Sequence, residues 1–423
     1  MLSHLRIGCV LPLYMMLTVS LGLADRAETR EPTLSDMAGQ IIIMGFIGSE
    51  PTQPGVRGLI NEAAANRIGG IILFANNVKS PAQLRRLNGA FKRAAPGPFM
   101  IAVDQEGGAV QRLTAQKGFV NTPSAADIAR KNSVAEAERL YARMAQNIAS
   151  AGVTANLAPV VDLNVDPANR VIGRVGRSYS TDPAVVARYA RAFVRAHRAS
   201  GVATALKHFP GHGSSAGDTH KGFVDVTDTW SRRELAPFQS LVRSGDADMV
   251  MVAHVALQTD GGDRLPSTLS PAVVEGLLRR DIGFDGVAVS DDLEMAAIRR
   301  EHSRGEAAVR ALRAGVDLLV FAAHGSEPAP VAREIHTALV RAAQADPALR
   351  SRLRQAYARA VRLKRSRVPA SSAPIRAARA VPDRMDSFAP EKPPAFQRSG
   401  HFPRADCGAK CPSAPVPRAN PAR

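Results

Sequence analysis

Four clusters of ionisable residues stand at the ends of short apolar runs. Asp104, Glu106 and Arg112 follow the run 99–103, with Gly107 and Gly108 between them. Lys207 and His208 close the run at 203–208, and His212, Asp218 and His220 come soon after. His254 follows 249–253, and Asp291 and Asp292 follow 286–290. A carboxylate can act as a nucleophile, a histidine can move a proton near neutrality, and Arg and Lys can hold oxygen-rich groups. Charges at buried strand ends are costly unless they are paired or used. Any one of them alone could be a structural ion pair, but four clusters on different runs point to one shared site. His208, His212, His220, His254 and Asp291 can also be imagined as metal ligands, an alternative that chelator sensitivity separates.

The elements that must position these residues are legible as a repeat. Short apolar, often β-branched runs occur at 40–47, 71–74, 99–103, 154–161, 203–208, 249–255, 286–290 and 317–321. Continuous apolar runs suit strands buried on both faces of a parallel sheet. The segments between them have helical spacing. Ser133 and Glu136 form a capping box before Leu140, Met144 and Ile148. Asp182-Pro183 opens a helix whose face holds Val186, Tyr189, Phe193, Val194 and His197, and Gly201 ends it. Ser270-Pro271 opens another, and a last helix with Leu353, Tyr357, Val361 and Lys364 along one side runs to about residue 365. Eight strands alternating with helices predict an α/β fold, a (β/α)8 TIM-type barrel with its active site at the C-terminal strand ends. An open doubly wound sheet is the alternative, but no G-x-G-x-x-G follows an early strand.

Three segments together resemble glycoside hydrolase family 3, in its single-barrel β-N-acetylglucosaminidase branch. They are Ala102-Val-Asp-Gln-Glu-Gly-Gly-Ala-Val-Gln-Arg112, Lys207-His-Phe-Pro-Gly-His-Gly213 with Asp218-Thr-His220, and Val289-Ser-Asp-Asp-Leu-Glu-Met295. The likeness runs over about residues 34–365, with the motifs in the family's order. It implies a retaining mechanism with Asp291 as nucleophile and an Asp218–His220 dyad on a mobile loop in place of the usual second carboxylate. It also implies substrate contacts from Asp104, Arg112, Arg177, Lys207 and His208, with no metal and no cofactor. The segment Val171-Ile-Gly-Arg-Val-Gly-Arg-Ser-Tyr179 carries extra residues relative to the family's pattern, so Arg174 competes with Arg177 for that role. His254 reads as part of the site wall. Gly211, Gly213 and Gly217 are expected to give the loop backbone freedom. The implied substrate is a small glycan or muropeptide that loses terminal β-linked N-acetylglucosamine. A family 3 β-glucosidase and a cell-wall-binding barrel without activity are the alternatives.

The remaining sequence speaks to location. Residues 1–24 have the charged, apolar and small-residue regions of a secretory signal peptide, which predicts export to the periplasm or beyond. Residues 25–33 read as a linker. Residues 366–423 hold eleven of the 29 prolines and few aliphatics, and are expected to be a disordered tail. The formal charge of the chain is +17. The tail contributes ten Lys or Arg against four Asp or Glu, a net +6, and the rest is scattered along helix faces. That pattern does not indicate a nucleic-acid partner, although the basic tail could draw the protein to an anionic wall or membrane. Of three cysteines, Cys9 lies in the leader, and Cys407 and Cys411 in the tail, where they could close a small disulfide or stand as incidental thiols.

Overall fold

In the computed structural model, which describes residues 31–259, 264–323 and 325–367, the eight apolar runs become the strands of a closed parallel barrel in chain order. They are β1 Ile42–Met44, β2 Gly70–Leu73, β3 Met100–Val103, β4 Ala155–Asn156, β5 Ala203–Phe209, β6 Met249–Val252, β7 Val287–Asp292 and β8 Leu318–Phe321. The ring closes where Ile42, Ile43 and Met44 pair with Leu319, Val320 and Phe321. Burial is complete along every strand except the last two residues of β7, Asp291 and Asp292. The expected leader lies outside the described residues, as do the expected tail beyond Arg367 and the cysteines. Among the described residues no helix is long and apolar enough to cross a membrane.

The caps read from sequence are present. Ser133 and Glu136 exchange side-chain and backbone hydrogen bonds at the start of the helix Val134–Ser150, and Asp182 caps Pro183–Ala199. The segment after Ser270-Pro271 winds as a π-type helix, Ala272–Asp281. Two boundaries differ from expectation. The run at 40–47 begins as the end of a helix, Leu34–Gln40, because Thr33 and Asp36 form a capping box ahead of it. The run at 154–161 yields only the two-residue β4. Pro159 has no amide hydrogen to offer a neighbouring strand, and the chain rejoins the sheet only where Val160 bridges to Lys207.

Opposite ends of the barrel use charge differently. At the N-terminal end, buried Asp317 accepts from Arg279 at 2.7 Å and Arg352 at 2.6 Å. Buried Lys364 donates to the carbonyls of Gln40 (2.6 Å) and Gly69 (2.8 Å) and to Gln40 Oε1 (3.0 Å). These contacts tie the last helix, Pro347–Arg367, across the barrel floor. At the C-terminal end the apolar filling stops at Ile72, Leu157, Met251 and Val320, which line a cavity of about 850 Å³. They come from or just after β2, β4, β6 and β8, the alternate-strand layer expected of this barrel. The charged strand ends stand above that layer.

Candidate active site

The site is built on a buried ion network. Lys207, on β5, donates from Nζ to Asp104 Oδ1 and lies as close to Glu106 Oε1, each at 2.7 Å. Arg177 grips both oxygens of Glu106, Nε to Oε2 and Nη2 to Oε1, each at 2.8 Å. Burial alone would raise the Glu106 carboxyl, but Arg177 and Lys207 outweigh it and hold the group well below the usual carboxylate range. Burial would likewise lower Lys207, and Asp104 and Glu106 reverse the sign and raise it. All three groups are therefore charged at any physiological pH. Arg112 approaches Asp104 at 3.8 Å and lies over the Phe74 ring. Its backbone is held by buried Gln105, whose Oε1 accepts from the amides of Arg112 and Leu113.

A second buried carboxylate organises the far side. Asp162 accepts from the amides of His208 and His212, and its Oδ2 lies 2.6 Å from His208 Nδ1. That contact leaves His208 Nε2 facing Arg177, at 3.2 Å. The pairing of β5 with β6 shifts register between Leu206 and Phe209. Lys207 and His208, although consecutive, line one polar pocket together with Asp104, Glu106, Arg112, Arg177, His212, Thr219, His220 and Asp291.

Asp291 and Asp292 are neighbours with opposite electrostatics. Burial alone would raise the Asp291 carboxyl. The imidazoles of His254 and His208 and the amide of Asp292, 2.8 Å from Oδ1, outweigh it and pull the group down to about 2. Burial keeps His254 itself low, so near neutrality the amide is the contribution that persists. Asp292 is pushed up to about 7, by burial first and by the Asp291 charge, against hydrogen bonds from the amides of Glu294 and Ala322. His254 is wholly buried between Thr268 Oγ1 (2.8 Å) and the Asp292 carbonyl (2.9 Å), so it supports the β7 end from behind.

His220 enters the same space on a loop. Its Nδ1 lies 2.9 Å from Asp218 Oδ1, which leaves Nε2 free, and the ring lines both the polar pocket and the larger cavity, as Asp291 does. The loop is anchored through Thr219, whose carbonyl accepts from the amide of Ala297 at 3.2 Å. The glycines before it serve close packing rather than the expected freedom. A Cβ on Gly213 would stand 1.9 Å from the Leu163 carbonyl oxygen, and one on Gly211 would meet the Glu234 side chain at 2.6 Å.

All eight residues expected at the site thus line one or both connected pockets except Asp218, which stands behind His220. Arg177 turns inward to Glu106, while Arg174 is exposed at the surface. The imagined metal cluster does not assemble. His208 is turned to Asp162 and His254 to Thr268, and no group of three or more His, Cys, Asp or Glu has metal-binding geometry among the described residues. Sequence reasoning passed over two organising carboxylates. Glu106 was in view within its motif but without a partner, and Asp162 follows the fourth apolar run, where the same strand-end rule would have found it.

Comparison with known proteins agrees with this geometry. The model of the glycosyl hydrolase family 3 N-terminal domain matches residues 54–363. A beta-hexosaminidase of Stenotrophomonas maltophilia (strain K279a) is 38% identical over 295 residues, which span 66% of this chain and 82% of that protein. Among solved structures, a family 3 beta-N-acetylglucosaminidase from Paenibacillus sp. str. FPU-7 is similar with a TM-score of 0.72 and 34% identity; the match covers 83% of this chain and 66% of that one. A beta-N-acetylhexosaminidase from Beutenbergia cavernae DSM 12333 is similar with a TM-score of 0.70 and 30% identity, covering 78% of this chain and 98% of that one. With the matched region spanning the whole barrel from before β2 to the final helix, the chain belongs to glycosyl hydrolase family 3.

Proposed function

We propose that this protein is a retaining exo-β-N-acetylhexosaminidase that removes terminal β-linked N-acetylglucosamine from small glycans, in an exported setting where peptidoglycan fragments are the natural source. The observation that carries the catalytic reading is the pairing of two groups across one cavity. Asp291 is held ionised at the end of β7, and His220 Nε2 stands free on the opposing loop. The names of the relatives supply the sugar, and the leader-like residues 1–24 supply the location.

In this reading Asp104, Lys207, His208, Arg112 and Arg177 hold the sugar hydroxyls and the acetamido group. Asp291 attacks the anomeric carbon with Oδ2, since Oδ1 is engaged by the Asp292 amide. The bond to the leaving oxygen breaks, and protonated His220 gives that oxygen its Nε2 proton. Asp218 orients the ring and stabilises the imidazolium. A water then attacks the glycosyl–Asp291 ester, His220 takes its proton, and the carboxylate is regenerated. Asp292 is the wrong neighbour for the first step, because near neutrality it is half protonated and its Oδ1 is tied to two amides.

The test is hydrolysis of 4-nitrophenyl N-acetyl-β-glucosaminide by wild type, Asp291→Ala and His220→Ala. Asp291→Ala should lose both steps. His220→Ala should lose roughly 10²–10⁴-fold on a disaccharide, whose alkoxide needs a proton, and much less in forming the glycosyl-enzyme from the activated aryl substrate. The accumulated sugar adduct should map by mass spectrometry to Asp291. An adduct on Asp292, or equal losses on both substrates, refutes the assignment.

A further inference from the structure

The larger cavity extends past the polar sugar pocket onto a wall formed by the segment after β7. Glu294, Met295, Ala296, Arg299 and Arg300 line it, opposite Phe74 and Asn76. This wall is joined to the His220 loop. The Ala297 amide holds the Thr219 carbonyl, and Arg300 Nη1 lies 3.0 Å from where a Cβ on Gly222 would stand, so its guanidinium rests over the backbone two residues beyond His220. If His220 protonates the leaving oxygen, as proposed above, the group on that oxygen lies on this side of the cavity and next to Arg300.

The charges on the wall do not cancel. Glu294 is taken by Arg304, Nε to Oε1 at 2.7 Å and Nη2 to Oε2 at 3.2 Å. Arg299 reaches Glu294 only at 3.9 Å. Arg300 makes no ion pair or side-chain hydrogen bond among the described residues. Asp292 is held toward its neutral form. What remains is a cationic surface with a guanidinium fork open to the cavity, and a planar fork of that kind matches a carboxylate.

We infer that Arg300, backed by Arg299, makes the enzyme selective for a leaving group that carries a carboxylate over a neutral one. A plain chito-oligosaccharide leaves the fork facing water, whereas a leaving sugar with an acidic substituent engages it. The inference rests on the hexosaminidase reading above and extends it to the class of the leaving group.

A matched pair of substrates tests it: N-acetylglucosaminyl-β-1,4-N-acetylmuramic acid with its lactyl carboxylate free, and the same disaccharide as the methyl ester. The wild type should favour the acid in kcat/KM by about tenfold, the scale of one charge-assisted contact at a partly exposed site. Rising salt should shrink the preference. Arg300→Ala should abolish the acid-to-ester ratio, and Arg300→Lys should restore part of it. Equal kcat/KM for acid and ester in the wild type overturns the inference, as does a ratio unchanged in Arg300→Ala. Failure to hydrolyse either disaccharide and the neutral 4-nitrophenyl glycoside would instead remove the hexosaminidase reading on which the inference stands.

Discussion

Glu106→Gln isolates the ion network from the chemistry, because Glu106 shares the pocket but is proposed for no reaction step. The substitution keeps shape and removes one charge. Its side chain is only 7% exposed, and its partners Arg177 and Lys207 are 12% and 3% exposed. Breaking a buried pair by removing one member costs about 3–5 kcal/mol, since the remaining charge stays desolvated. Lys207 keeps Asp104 at 2.7 Å, so the lower end applies to it. Arg177 keeps only a neutral hydrogen bond, to the Val171 carbonyl. A loss of about 3 kcal/mol follows, which for a domain of this size is a fall in Tm of roughly 6 °C. A double-mutant cycle with Arg177→Met sharpens the test. Removing both members leaves no uncompensated charge, so the double variant should be more stable than the sum of the singles by about 2 kcal/mol. Urea unfolding supplies the free energies, with the slope checked for two-state behaviour. Additivity within about 0.5 kcal/mol, or a Tm within about 2 °C of wild type for Glu106→Gln, would refute the claim that the pair is buried and mutually dependent.

Two further outcomes follow from the same site. Asp292 has a folded pKa of about 7 against an ordinary 3.8, so its contribution to stability is full below about pH 4 and is lost as pH rises through 7. Asp292→Asn, which mimics the protonated form and keeps the Oδ1 acceptor, should raise Tm over wild type at pH 8 by the equivalent of on the order of 1 kcal/mol, with the gain vanishing near pH 4; a gain independent of pH would contradict the assignment. Gly213→Ala places a methyl against the Leu163 carbonyl and should cost about 2–3 kcal/mol while displacing the His220 loop, whereas Gly245→Ala, with nothing within 4 Å but a left-handed φ, should cost less. Similar losses of activity in both variants would argue that the loop glycines act through flexibility instead.

The barrel was legible from the sequence because each strand is buried on both faces and therefore written as an unbroken apolar run. The polar residue that ends each run stands at the catalytic rim for the same reason: the chain leaves the sheet there. The capping boxes and Asp182-Pro183 were legible because a cap is a local contract over three or four residues. What periodicity misread was also local. Thr33–Asp36 moved the start of β1, and Pro159 cut β4 to two residues. The rest depended on residues far apart in the chain. Nothing near Arg177 says that it, rather than Arg174, will meet Glu106 71 residues away. Nothing near Asp162 announces that it will hold His208 and His212 across the β4–β5 boundary. The contrast between Asp291 and Asp292 is also tertiary: two identical side chains in sequence differ because one points toward imidazoles and an amide and the other into an enclosed corner beside its neighbour's charge. Burial and electrostatic partnership are properties of where strands converge, so the sequence names the groups and only the closed barrel decides their charge, their partners and the side from which each faces the sugar.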